Sequence, residues 1–60
     1  MARYSIPINM EGHSLATVLL HTDTWEIPLT SLVIDNGNYL LDFASALPVE
    51  ELEHLGLTEA

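Results

Sequence analysis

In this 60-residue chain the side chains best suited to proton or metal chemistry are three histidines, His13, His21 and His54. Zinc asks for three or four ligands, and two imidazoles share a helix face when they stand at i, i+4, a spacing these three do not supply. His13 and His21 could meet across a hairpin. Otherwise they read as turn residues, and His54 as a side chain that complements the negative end of a helix. Nucleophilic catalysis would fall to Ser or Thr beside a base, because the chain has no Cys and no Lys. Ser14 follows His13 directly, but no Gly-x-Ser-x-Gly elbow is present. Glu50, Glu51 and Glu53 could do acid–base work in a cleft, yet a chain this short hardly builds both a core and a ligand-sized pocket. Gly12, Gly37 and Gly56 are placed for turns and a helix stop, not for a phosphate loop. These residues point away from an enzyme, and no metal or cofactor is expected.

Charge points to binding instead. Nine acidic residues stand against one basic residue, Arg3, for a formal net charge of -8. Neutralising phosphates takes several Lys or Arg side chains, so direct nucleic-acid binding is excluded, and docking on an anionic membrane is disfavoured on the same ground. No apolar run approaches the roughly 18 residues that would span a bilayer. The first residues lack the apolar stretch of a secretory signal, so a cytoplasmic protein is expected. At 48% apolar the chain is too hydrophobic for a disordered acidic tail. A domain of this size hides only about 60% of the surface its unfolded chain exposes. Without disulfides, association with a partner is the common remaining support, and a homodimer paired through an edge strand would provide it.

The elements that must position these residues follow from periodicity. Tyr4, Ile6, Ile8 and Met10 alternate with polar residues, the period of a half-buried strand. Pro7 makes that strand an edge, or one whose proline nitrogen points away from its neighbour. Turn chemistry at Glu11-Gly12-His13-Ser14 leads to the apolar run 15–20, read as a second, buried strand pairing with the first. After the polar break at 21–24, Trp25, Ile27 and Leu29 alternate on odd positions, while Leu32 and Ile34 occupy even ones. A bulge or bend near 28–31 resolves that conflict. Asn36-Gly37 specifies a type I′ hairpin between 31–34 and 39–43, with Ile34 opposite Tyr39 and Leu32 opposite Leu41.

The C-terminal part reads as one short helix over 47–56, with Pro48 at its first position and Glu50 and Glu51 near its positive end. Gly56 stands just past the end, where a Schellman stop would bring Leu57 to Leu52. Leu47, Leu52 and Leu55 face inward, the acids outward, and 58–60 is a frayed tail. The expected fold is α+β: a single domain over 1–60 in which a small antiparallel β-meander of three to five strands, within 3–43, carries one short C-terminal helix.

Two binding surfaces result. The electrostatic one comprises Glu50, Glu51, Glu53, Asp35 and Asp42, suited to a basic protein partner. The apolar one comprises Trp25, Tyr39 and Tyr4, suited to a partner or a dimer. No family motif covers the chain. As a class, a tiny, acidic, cysteine-free fold without catalytic residues is similar to the small inhibitors of phages and mobile elements, including anti-CRISPR and anti-restriction proteins. The expected function is therefore inhibition or regulation of a nucleic-acid-handling protein by covering its basic surface. The alternative is a virion or complex component that assembles through an edge strand and aromatic patch.

Overall fold

The computed structural model of the protein describes residues 2–8 and 15–60, and the expected turn at 11–14, with His13, lies outside them. The elements run β1 (Ala2–Pro7), α1 (Leu15–Thr24), β2 (Leu29–Asp35), β3 (Asn38–Phe43), α2 (Val49–Leu55) and β4 (Thr58–Glu59). The strands form one antiparallel sheet in the order β2-β3-β1-β4. The class is α+β, with a short C-terminal helix.

Register sorts the sheet into two faces. Across β1 and β3, Ala2 pairs with Phe43, Tyr4 with Leu41 and Ile6 with Tyr39, so these six share one face. Tyr4, Ile6, Leu41 and Phe43 are buried there in one cluster with Val18 of α1, Leu52 and Leu55 of α2, and Leu47 and Leu57 beside it. The opposite face carries Arg3, Ser5 and Pro7 of β1 and Asn38, Leu40 and Asp42 of β3. Among the described residues no helix contributes a core residue to this face, and both helices pack on the other, so the described residues form two layers.

The β2-β3 hairpin forms as the sequence dictates. Asn36 (φ 50°) and Gly37 (φ 77°) occupy the left-handed region that a type I′ turn requires, and Leu32 pairs with Leu41 and Ile34 with Tyr39. The parity conflict is resolved by a bulge between Leu29 and Ser31. Thr30, the extra residue, donates its hydroxyl to the Asp42 carbonyl at 3.0 Å. Pro7 interrupts nothing. Ala60 donates to the Arg3 carbonyl and Ile8 to that of Gly37, so odd positions of β1 address the β4 side, and β4 ends opposite Ser5. β1 is nevertheless an inner strand, between β3 and β4.

Three expectations are corrected. Residues 15–20 form the first turns of a helix, not a strand paired with β1. Leu15, Val18, Leu19 and Thr22 recur at i, i+3, i+4 and i+7, which puts them on one helical face against the core. The polar run continues the helix with Thr22 buried on the same face, and its threonine hydroxyls turn back onto carbonyls of that helix, Thr22 Oγ1 onto that of Leu19 and Thr24 Oγ1 onto that of Leu20, both at 3.1 Å. The odd-numbered alternation at 25–29 is consequently the α1–β2 connection, and strand begins at Leu29. Residues 58–60 do not fray. Gly56, at φ 75°, donates to the Glu53 carbonyl and Leu57 to that of Leu52, the paired bonds of a Schellman stop, which turn the chain back along β1 as β4. No helix among the described residues is long and apolar enough to cross a membrane.

Candidate functional site

α2 places its acids largely as its periodicity requires. Glu50 and Glu53 are exposed, and Glu51 is half-buried. Pro48, at φ -58°, immediately precedes the helix and its carbonyl accepts the Glu51 amide proton at 3.0 Å, and Glu50 and Glu51 occupy the first turn, at the positive end of the helix dipole. Asp35 is exposed at the end of β2, where the hairpin turns. Asp23 and Glu26, not singled out from the sequence, line a shallow depression with Ile27 and Pro28 at the end of α1. Glu59 is exposed on β4.

Asp42 does not belong to this free acidic surface. Facing Arg3 across the β1–β3 ladder, its carboxylate receives two hydrogen bonds from the guanidinium, Nε to Oδ1 at 2.7 Å and Nη2 to Oδ2 at 3.1 Å. The Arg3 hydrogen bond holds the Asp42 carboxyl below the usual aspartate range, against a smaller opposing effect of desolvation, and the Arg3 pKa is raised in turn. The chain's one arginine is thereby engaged. Asp23, Glu26, Asp35, Glu50, Glu53 and Glu59 face solvent with no Lys or Arg of the chain left to offset them.

The aromatic residues do not form one patch. Tyr4 is a core residue, 2% exposed, with its ring 6.1 Å from that of Phe43 and its hydroxyl accepting the Leu47 amide proton at 2.9 Å. It is not an interface anchor, because strand parity turns it toward the helices. Tyr39 is half-buried against the core from β3. Trp25 is half-buried in the turn after α1, with its ring centroid 5.9 Å from that of His21.

Leu20 on α1 and Val49 on α2 are exposed singly, and the one run of exposed large apolar residues among the described residues lies on β2. Leu32 (41% exposed), Val33 (51%) and Ile34 (68%) are consecutive on the outermost strand. Leu32 and Ile34 share the core face with their partners Leu41 and Tyr39 but stand outside the buried cluster, whereas Val33 is on the opposite face beside Leu40. The sequence signal was available: three successive apolar residues cannot all be buried in a strand that has only one covered face.

His21 is exposed, with Nδ1 2.9 Å from the Thr17 carbonyl oxygen. A carbonyl can only accept, so Nδ1 carries the proton. His54 is exposed in the last turn of α2. Among the described residues no group of three or more His, Cys, Asp or Glu is arranged to hold a metal ion. In comparisons with known proteins, no family model, curated protein or solved structure matches the chain.

Proposed function

We infer that this is a non-enzymatic interaction protein whose acidic surface covers the basic, nucleic-acid-binding surface of a protein partner, in the manner of small phage and mobile-element inhibitors. The observation that carries the reading is the engagement of Arg3 by Asp42. It leaves Asp23, Glu26, Asp35, Glu50, Glu53 and Glu59 exposed on a folded body with no Lys or Arg of the chain left to offset them. A basic cleft that tracks phosphates would meet fixed carboxylates in their place. The same reading has the protein act in the cytoplasm, where nucleic-acid-handling enzymes are found. The test is capture from a host lysate at low salt and at about 1 M salt, where the screening length falls to about 3 Å. A nucleic-acid-binding protein should be retained only at low salt, and less strongly by the Glu50→Gln, Glu53→Gln double variant. Capture unaffected by salt and by that variant would refute the reading.

A second reading is favoured by a separate observation, the exposed Leu32-Val33-Ile34 edge. In it the protein is an assembly component that extends a sheet through β2. The apolar contact then rests on this strand, not on Tyr4, Tyr39 and Trp25.

A further inference from the structure

We propose that the β2 edge is a self-recognition surface, on which β2 of a second copy adds antiparallel about a two-fold axis through Val33, making one eight-stranded sheet. This rests on the second reading above and commits it to an occupant.

The backbone sets the register. Asp35 and Asn38 flank the two-residue turn and so form a hydrogen-bonded pair, and antiparallel alternation then directs the amides and carbonyls of Ser31, Val33 and Asp35 inward to β3. Those of Leu32 and Ile34 point outward. The bulge at Thr30 ends the regular edge on one side and the turn ends it on the other, so Val33 is the midpoint of the usable stretch 31–35.

A two-fold axis at that midpoint sets Leu32 opposite Ile34 of the second copy, and Ile34 opposite its Leu32. Each pair exchanges both hydrogen bonds, which uses every outward group of the two residues. On the core face the two apolar pairs extend the buried layer, and on the opposite face Val33 meets its own copy. Asp35 falls opposite Ser31, so no carboxylate is forced against another.

Three further features favour a second copy as the occupant. The edge from Ser31 to Ile34 carries no charge in a chain of net charge -8, so it suits a neutral stretch of strand, which the same four residues of a second copy supply. None of the usual obstacles to edge pairing, neither Lys nor Pro, stands between Ser31 and Asp35. The opposite edge of the sheet is the two-residue β4, too short to propagate pairing, so association closes at two copies. Three apolar residues a side fall well below the roughly 20–30 residues of a standard interface, so the dimer is weak and forms at high protein concentration. Because each copy carries -8, added salt strengthens it, opposite in sign to capture of a basic partner.

The chain has no cysteine, so a single introduced thiol reports the register. Facing Val33 positions in a non-hydrogen-bonded pair place their Cα atoms about 4.5 Å apart, within the span of a disulfide. In air oxidation, Val33→Cys should cross-link at least several-fold faster than Leu32→Cys or Ile34→Cys, whose thiols lie diagonally across the axis. Sedimentation of the unmodified chain from about 1 µM to about 1 mM should show a dimer that grows with concentration and with salt. Faster cross-linking at Leu32→Cys or Ile34→Cys would overturn the register. A chain that stays monomeric throughout would overturn self-pairing. If that monomeric chain captured a different protein and lost it on Val33→Lys, edge assembly would stand while the second copy as occupant would not.

Discussion

The Tyr4 hydroxyl accepts the backbone amide of Leu47, 43 residues along the chain, in a site closed to water. Tyr4→Phe keeps the ring contact with Phe43 but strands that amide, and an unsatisfied buried donor costs about 1–3 kcal/mol. Chemical denaturation should show that loss with an unchanged slope against denaturant. An equal midpoint for the variant would mean that the amide finds another acceptor. Alternation placed Tyr4 in a strand but could not say which of its faces would be covered, and this decides between an anchor for partners and a pillar of the core. Asp42 was equally illegible as a paired residue, because its partner, Arg3, lies 39 residues away and meets it only through the β1–β3 register. Gly37, by contrast, could be assigned from its neighbour alone, since the Asn-Gly pair states its own backbone requirement.

Among the elements, α1 shows most clearly where local reasoning fails. Its termination has the hydrogen bonds of a Schellman stop, with Glu26 donating to the Asp23 carbonyl and Ile27 to that of Thr22, both at 3.0 Å. The residue that must adopt the left-handed conformation is Glu26, at φ 61°, where α2 uses Gly56 at φ 75°. With no glycine to mark the stop and with β-branched Thr17 and Val18 inside, the segment reads as strand followed by a polar break. α2 was legible because its acids and its glycine stand where helix chemistry wants them, with Pro48 at the position just before the helix and not, as expected, at its first. Glu26→Gly should remove the left-handed strain and stabilise the fold by about 1 kcal/mol. That raises the melting temperature by roughly 4–8 °C in a domain this small. Glu26→Gln, which removes only the charge, should leave the melting temperature nearly unchanged, and an equal gain in both variants would assign the effect to electrostatics.

For the whole molecule, the class of fold and the sign of its surface were legible, since composition carries both. The location of the run of exposed apolar residues was not, because it depends on which strand ends outermost, and β1 was displaced from the edge by the two residues of β4 turned back along it. Acid stability belongs at this scale. The Asp42 carboxyl titrates lower in the folded chain than unfolded, so its contribution is complete above the ordinary aspartate range and is lost as pH falls through its depressed folded value. Thermal melts of Asp42→Asn should therefore start from a lower stability at neutral pH and decline less steeply below about pH 4. Parallel acid limbs in the two proteins would remove Arg3–Asp42 as a source of the decline. Asp42 also holds more than Arg3: its side chain grips β1, its backbone carbonyl takes the Thr30 hydroxyl of β2, and it stands in β3 between them. One residue thus rivets three neighbouring strands through two chemically separate groups. Asp42→Asn weakens the rivet toward β1 and leaves it intact toward β2, so β2 keeps its alignment, and with it the identity of the edge offered to a second copy, while the β1 side loosens.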